Sequence, residues 1–139
     1  MTSPSPVAQT PLDCVLGLLR TLAAGGGAAA VAPFLAEDYV LREAPHLLAP
    51  AGATRSRSDV LAGADAARGV VSGQRFEVQR TTCEGSRVVV EAEWTATTLM
   101  DLPHWDAGDV LRARIVSVFE VRDGRVASQD SYDCYFIPA

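Results

Sequence analysis

Hydrophobic residues recur at two different spacings along the chain, and the spacing changes near Gly73. Before Gly73, apolar positions recur every three to four residues, as they do on one face of a helix. After Gly73, apolar and polar positions alternate, as they do on a strand with one buried face. The pattern therefore predicts helices in the first half of the chain and a sheet in the second half.

The first helix is predicted to begin at Pro11, with Thr10 as its N-cap, and to end at the glycines 25–27. Asp13 lies in its first turn, where a negative charge is favoured. Its apolar stripe consists of Leu12, Val15, Leu16, Leu19, Leu22 and Ala23.

Three more elements are predicted before Gly73. An alanine-rich helix is expected over 28–36, with Pro33 limiting its regular part. A short strand is expected over 39–44, and a third helix over 59–71 with Ser58 as its cap. The segment between them, 45–57, is predicted to be a loop because it contains prolines and a glycine.

The second half predicts four strands. They cover residues 74–83, 87–99, 110–121 and 125–136. Asp123 and Gly124 form a two-residue turn between the last two strands, and ten residues, 100–109, connect the middle pair. This order predicts an α+β domain in which the helices cover one face of a curved, mainly antiparallel sheet. Residues 1–10 are predicted to be a disordered arm, and 11–139 a single domain.

The turn at Asp123 and Gly124 sets an expected register for the last two strands. A two-residue loop pairs Val121 with Val126 and, further along, Ser117 with Asp130. The face so defined is mostly apolar and is predicted to be the core side, with Asp130 as its charged exception. Its members include Ile115, Ser117, Phe119, Ser128, Asp130, Tyr132 and Cys134, the last expected to be a buried small hydrophobe.

The neighbouring strands are placed by the same alternation. Trp94 is predicted to point inward, whereas Glu91 and Glu93 point outward and meet Arg112 and Arg114 in cross-strand pairs. On the first strand, Leu41 and Glu43 share a face, and His46 follows just after Pro45.

These positions suggest candidate chemistry. A carboxyl group on an apolar face should have a raised pKa, so Asp130 is a candidate acid or base. Glu43 and His46 are candidates to assist it. Each has a structural alternative: Asp130 could be hydrogen-bonded by Ser117 or Ser128 and serve only the register, and Glu43 and His46 could be ordinary strand-end and loop residues.

The same faces suggest which side chains would contact a ligand. The predicted ligand-contacting residues are Leu41, Trp94, Ile115, Ser117, Phe119, Ser128 and Tyr132. Trp94 and Tyr132 are also typical of core positions. His104 and Trp105 lie in the longest strand connection and are candidates for a cover over a pocket mouth.

Composition narrows the function classes. The chain has 139 residues, 48% of them hydrophobic and 21% charged, which suits one domain with a sizeable core. The net charge is −5 and all 12 basic residues are arginines, so no basic tract for nucleic acid exists. The three cysteines are far apart, which predicts neither a disulfide framework nor a zinc site. With no signal segment or apolar span recognised, a cytoplasmic location without membrane association is expected.

Several segments resemble a known family. The runs VVVEAEWTATTL, LRARIVSVFEVRDGRVASQDSYDCYF and YVLREAPHLLAPAG, together with the element order, are similar to the SnoaL-like branch of the nuclear transport factor 2-like superfamily. The resemblance implies a cone in which three helices and a curved sheet enclose an apolar pocket. The superfamily includes polyketide cyclases, ketosteroid isomerases, limonene-epoxide hydrolases, dehydratases and proteins without catalysis, so the fold alone does not choose a function.

Only some of the catalytic residues of these relatives have a counterpart in this chain. The epoxide hydrolases use a Tyr and an Asn on the first strand and an Arg and an Asp on the third, and only their last-strand aspartate has a counterpart, near Asp130. At the other positions this chain has Leu41, Glu43, Ala92 and Trp94. The steroid isomerases place an aspartate before a strand-ending proline, where this chain has Ala44.

The SnoaL-like cyclases require less. Their pattern is a last-strand aspartate as acid–base group and an apolar cavity, with no metal or organic cofactor, and Asp130 meets it. A slip of one residue in the last strand would place Ser131 there instead, but the alternation favours Asp130.

The resulting hypothesis is a cofactor-independent cyclase or isomerase that acts on a hydrophobic small molecule, in polyketide or related secondary metabolism. A non-catalytic binding or accessory protein with the same pocket is the alternative. An epoxide hydrolase or epoxide-opening cyclase using Asp130 and Glu43 is a further one. A homodimer is also predicted, because the outward residues Val89, Val110, Val116 and Val118 would otherwise form an exposed apolar patch.

Overall fold

The computed structural model describes residues 9–138. Residues 1–8, most of the predicted disordered arm, lie outside the described residues. The helices are α1 (Pro11–Ala23), α2 (Ala28–Val31) and α3 (Arg57–Ala67), and a 3₁₀ turn covers Ala32–Phe34. The strands are β1 (Leu35–Glu43), β2 (Ala53–Ser56), β3 (Val71–Glu84), β4 (Arg87–Thr98), β5 (Val110–Arg122) and β6 (Arg125–Tyr135). Within residues 9–138, no helix is long and apolar enough to span a bilayer.

The six strands form one sheet in the order β2-β1-β6-β5-β4-β3. Neighbouring strands are antiparallel except β1 and β6, which run parallel. The helices pack on one face of this sheet, so the predicted α+β class is confirmed. The core between helix and sheet includes Val15 and Leu18 of α1, Val88 and Val90 of β4, and Phe119 of β5.

Both longer helices begin with a capping box, in which side chain and backbone satisfy each other's hydrogen bonds. At α1, Thr10 and Asp13 form the predicted cap. At α3, the cap is Ser56 with Asp59, two residues before the predicted Ser58.

The segment around Pro33 differs from the prediction. The helix predicted over 28–36 ends after one turn at Val31, and β1 begins at Leu35. Proline lacks a backbone donor and clashes with the preceding turn, so the chain continues as a 3₁₀ turn and then extends. The predicted loop over 45–57 also contains β2, which pairs with the end of β1.

The register of β6 contains the main correction. Val121 pairs with Val126 as predicted, but Glu120 pairs with Ser128, which leaves Ala127 as an extra residue in a β-bulge. Beyond the bulge every side chain changes face. Ser117 consequently pairs with Ser131 instead of Asp130.

Four predictions of an inward position were therefore wrong. The residues concerned are Ser128, Asp130, Tyr132 and Cys134, all of which lie on the outer face of β6. Asp130 forms an ion pair with Arg42 of β1, at 2.7 Å. Tyr132 is 51% exposed, and Cys134 is exposed rather than buried.

The outer face of the sheet carries the predicted carboxylate–arginine pairs in part. Glu93 pairs with Arg112, which confirms the outward position of this glutamate. Glu91 pairs with Arg80 on the edge strand β3 instead of an arginine on β5.

Candidate active site

A cavity of about 220 Å³ lies between α1 and the inner face of the sheet. Its apolar wall is formed by Leu19, Leu22, Leu41, Phe76, Trp94 and Ile115. Its polar wall is formed by Glu43, Ser117, Gln129, Ser131, Asp133 and Tyr135. Five of these six polar residues come from β1 and β6. The cavity therefore has one apolar side and one side whose groups can donate and accept protons.

Asp133 is a partly buried acid in the wall of this cavity. Burial raises the pKa of its carboxyl group above the ordinary value, and the nearby Glu43 acts in the same direction. A hydrogen bond from the hydroxyl of Ser131 to Oδ1, at 2.7 Å, and the proximity of His46 lower the pKa in part. Because burial dominates, Asp133 holds its proton more tightly than an exposed aspartate does.

Glu43 lies opposite Asp133 at the end of β1. Its Oε2 accepts a hydrogen bond from Nε of Arg55, on β2, at 2.7 Å, and its Oε1 lies 3.5 Å from Nε2 of His46. The backbone passes this site closely at Gly52, which has φ +74° and where a Cβ atom would lie 2.8 Å from the carbonyl oxygen of Glu43. The loop and the edge strand β2 thus supply the counter-ion of Glu43.

His46 has a defined tautomer. Its Nδ1 accepts a hydrogen bond from the backbone N–H of Leu48, at 3.1 Å, so the neutral ring carries its proton on Nε2. The His46 side chain is only 6% exposed, and within residues 9–138 its Nε2 has no hydrogen-bond partner of normal geometry. The Nε2–H group therefore lies next to Glu43 as a spare donor.

The side chains of Glu43, His46 and Asp133 bring one oxygen or nitrogen each to within 4.8 Å of one another. Such a set has the atom types of a metal site. However, Nε2 of His46 carries the proton in this arrangement, and Arg55 already binds one carboxylate. The contacts thus suit proton transfer better than metal binding.

Tyr135 connects this acidic group to an aromatic cluster. Its ring centroid lies 5.5 Å from that of His46, 6.2 Å from Trp94 and 5.6 Å from Trp105. Burial and the two carboxyl groups raise the pKa of the Tyr135 phenol, so it keeps its proton and can donate a hydrogen bond. Trp105, proposed from its loop position as part of a cover, is buried in this cluster.

A line of hydrogen bonds runs along the cavity floor towards Asp133. Tyr39 donates to Oε1 of Gln129 at 2.9 Å, and Nε2 of Gln129 donates to Ser117 at 3.5 Å. Ser117 and Ser131 are joined at 3.5 Å. With Ser131 donating to Asp133, every donor in the line can point towards the carboxyl group, which therefore lies at its accepting end.

The structure brings some of the predicted site residues together and separates others. Five of them line the cavity: Leu41, Glu43, Trp94, Ile115 and Ser117. His46 lies beside Glu43, and Phe119 is fully buried in the core. Ser128, Asp130 and Tyr132 lie on the opposite face of the sheet.

Sequence reasoning missed the inward residues of β6 after the bulge, above all Asp133 and Tyr135. The two alternating sets of this strand are nearly equal in polarity, so the pattern contains no signal that selects one. The alternative of a one-residue slip in the last strand, which places Ser131 where Asp130 was predicted, agrees with the observed pairing of Ser131 with Ser117.

A family profile described as "SnoaL-like domain" matches residues 15–129. No curated protein sequence matches the chain. Solved structures match over nearly the whole chain. Their sequence identities are low, so the matches show a shared fold and not a shared function.

IdmH from Streptomyces antibioticus, whose assignment as a polyketide cyclase is provisional, matches with a TM-score of 0.73 and 19% identity, covering 90% of this chain and 92% of that one. An LEH-like epoxide hydrolase of M. tuberculosis matches with a TM-score of 0.69 and 18% identity, covering 88% and 81%. A protein with a ketosteroid isomerase-like fold from Catenulispora acidiphila matches with a TM-score of 0.69 and 15% identity, covering 88% and 86%.

These matches confirm the nuclear transport factor 2-like fold. The family profile extends from α1 into β6 and covers well over half of the sequence. The chain therefore belongs to the SnoaL-like domain family.

Proposed function

We propose that this protein is a cofactor-independent cyclase or isomerase that moves a proton next to a carbonyl group of an apolar small molecule. The observation that carries the proposal is the partly buried Asp133, whose position at the polar wall of the cavity and raised pKa suit an acid–base group. The proposed acid–base residue is thus Asp133 and not Asp130, which is paired with Arg42 on the other face.

In the proposed reaction, ionised Asp133 takes a proton from the carbon next to the substrate carbonyl. The electron pair of the broken C–H bond moves onto the carbonyl oxygen, giving an enolate. The hydroxyl of Tyr135 donates a hydrogen bond to this oxygen, which stabilises the developing charge.

The proton then returns from Asp133 along one of two routes. In a substrate whose enolate is conjugated with a C=C bond, delivery of the proton to the far carbon of the dienolate moves the double bond and isomerises the substrate. Alternatively, the enolate carbon attacks a second carbonyl of the substrate, and Asp133 protonates the new alkoxide, which closes a ring. In both routes the atoms balance without a metal or organic cofactor.

Glu43 and His46 assist in this proposal. Arg55 balances the charge of Glu43, and the proton on Nε2 of His46 is available to a substrate oxygen or to Glu43. The apolar wall formed around Trp94 and Phe76 excludes water and holds a flexible substrate in a reactive conformation.

The test is the exchange of the α-protons of 2-nonanone in D₂O, followed by NMR. Wild-type protein is expected to accelerate exchange, and Asp133→Asn to lower the enzymatic rate by about 10²-fold or more. Asp130→Asn is the matched control on the same strand and should retain the wild-type rate within about twofold. Circular dichroism checks that both variants fold.

Two outcomes would reject this function. An Asp133→Asn variant with the wild-type exchange rate would remove Asp133 from the reaction. Saturable binding of the ketone with no exchange in the wild type would instead support a binding or accessory protein.

An epoxide-opening activity is the second candidate. It is favoured by the proximity of two carboxyl groups, Glu43 and Asp133, to the proton on His46. One group could activate water while another protonates the epoxide oxygen. Incorporation of ¹⁸O from labelled water into a styrene oxide product, lost in Asp133→Asn, would support it over the isomerase proposal.

We also propose that the outer face of the sheet forms a homodimer. Val116 is 37% exposed there and pairs across the strands with Tyr132, which is 51% exposed, and Val110, 62% exposed, lies further along β5. Burying such a patch is favourable. Light scattering should give twice the chain mass of 14.7 kDa, and Val116→Arg should give the monomer mass.

A further inference from the structure

A second, larger depression adjoins the acid–base cavity. It has a volume of about 460 Å³ and lies between α3, the start of β3 and the connection between β4 and β5. Trp94 lines both spaces. We call this depression the outer groove, and its wall includes Leu48, Gly63, Ala66, Leu102, Pro103 and Leu111.

The outer groove is lined mainly by apolar side chains. No side chain with a titratable group lines it among residues 9–138, and its polar groups are the amide of Gln74 and the indole N–H of Trp94. Oε1 of Gln74 accepts a hydrogen bond from the indole N–H of Trp94, at 3.2 Å. The bond orients the indole ring at the boundary between the two spaces and also occupies the amide oxygen of Gln74.

The wall contributed by α3 is built from small residues. Gly63 and Ala66 leave the groove open, and a Cβ atom built at Gly63 would meet no other atom within 4 Å. Larger residues at these exposed helix positions would fill the groove. The outer groove therefore exists because Gly63 and Ala66 are small, and substituting larger residues for them should close it.

The two volumes together indicate the size of the ligand. Small-molecule sites usually measure roughly 300–1,000 Å³. The acid–base cavity, at about 220 Å³, falls below that range, so a ligand of ordinary size that reached Asp133 would extend beyond it, and the adjoining outer groove, at about 460 Å³, has room for the rest. A ligand that reached Asp133 and used both spaces would pass the indole of Trp94.

We propose that the substrate of the acid–base centre is an uncharged, elongated molecule whose carbonyl end occupies the inner cavity and whose apolar body lies in the outer groove. This inference rests on the proposed function for the position of the carbonyl end. Trp94 separates the two parts, and α3 sets the length and width of the body that is accepted.

Two methyl ketones test the inference, 2-pentanone and 2-nonanone, which differ by four methylene groups. Each methylene buried in the groove should improve affinity by roughly fourfold. Calorimetric titration of the wild type should therefore show much tighter binding of 2-nonanone. Gly63→Leu, which fills the groove, should weaken 2-nonanone by about tenfold or more and 2-pentanone by less than twofold.

Two further variants complete the design. Ala66→Leu fills the same wall and should reproduce the selective loss. Ala62→Leu adds the same side chain to an exposed position of α3 that does not line the groove, and it should bind both ketones as the wild type does.

The inference is overturned if Gly63→Leu and Ala66→Leu both leave 2-nonanone binding unchanged, if they weaken the two ketones equally, or if the wild type does not bind 2-nonanone. Its failure is distinct from failure of the proposed function. If ketone binding depends on chain length and on Gly63 but no α-proton exchange occurs, the outer groove is retained as a binding site and the proposed proton transfer is rejected. If exchange occurs and Gly63→Leu does not change it, the proposed proton transfer is retained and the role of the outer groove is rejected.

Discussion

The hydroxyl of Ser131 donates a hydrogen bond to Oδ1 of Asp133, two residues further along β6, at 2.7 Å. Both side chains lie on the inner face, so the contact is made between neighbours on one side of the strand. The bond fixes one carboxyl oxygen. Within residues 9–138, no protein hydrogen bond occupies the other oxygen, which leaves it available for a substrate proton.

The pH dependence of stability should reveal the raised pKa of the partly buried Asp133. Its pKa is raised in the folded state, so between the ordinary aspartate value and the folded value the folded chain binds more protons than the unfolded chain. The free energy of unfolding therefore falls as the pH rises through that window. Asp133→Asn cannot ionise, and we expect its stability relative to wild type to increase with pH and then level off.

Urea unfolding between pH 3 and pH 8 measures this difference, and an NMR titration of the carboxyl carbon gives the pKa directly. Ser131→Ala removes the donor that favours the ionised form, so the pKa of Asp133 should rise further in that variant. A normal or lowered pKa in the wild type would contradict the argument.

Tyr39→Phe should destabilise the protein without opening a large cavity. Tyr39 is 2% exposed, and its hydroxyl is the donor to Oε1 of Gln129. Removing it leaves a partly buried oxygen without that partner, at a cost of about 1–3 kcal/mol. Tyr132→Phe on the outer face is the control and should change the free energy of unfolding by less than about 0.5 kcal/mol.

Gly52→Ala should disturb both stability and the site. The backbone of Gly52 has φ +74°, and its added Cβ would contact the carbonyl oxygen of Glu43. We expect a loss of more than about 1 kcal/mol in urea unfolding and slower α-proton exchange, because the end of β1 must move. Gly63→Ala, in a helix with open space around it, should instead gain up to about 1 kcal/mol.

The ion pair of Asp130 and Arg42 should contribute little to stability. Their side chains are 34% and 55% exposed, and exposed pairs are typically worth less than about 1 kcal/mol. Thermal unfolding of Asp130→Asn should therefore be close to wild type, with the small difference reduced further by salt. A loss of several kcal/mol would mean that Asp130 has a structural role beyond this pair.

Much of the fold was predictable because its determinants are local. The capping residues Thr10 and Asp13 define the start of α1, and Asp123 with Gly124 defines the last hairpin. The face of β1 shared by Leu41 and Glu43 follows from alternation and is confirmed by the cavity. These features depend on neighbours within a few residues.

The parts that were not predictable depend on distant partners. The strand β2 forms only because its backbone pairs with β1, and its residues 53–56 have no apolar alternation. Which side chains of β6 face inward depends on the bulge at Ala127, and no side-chain pattern after Val126 indicates that bulge. One wrong register was enough to exchange Asp133 for Asp130 as the candidate acid.

The bulge also makes the pocket sensitive to chain length in a way that the fold is not. A single residue inserted or deleted between Val126 and Ser128 would move every later side chain of β6 to the other face of the sheet. Asp133 and Tyr135 would then leave the pocket and their sequence neighbours would enter it, while the backbone remains a strand. A relative that lacks the extra residue would share this architecture and present a different chemistry. Among such relatives, the spacing from the hairpin glycine to the last-strand acid is therefore more informative about function than the presence of the acid itself.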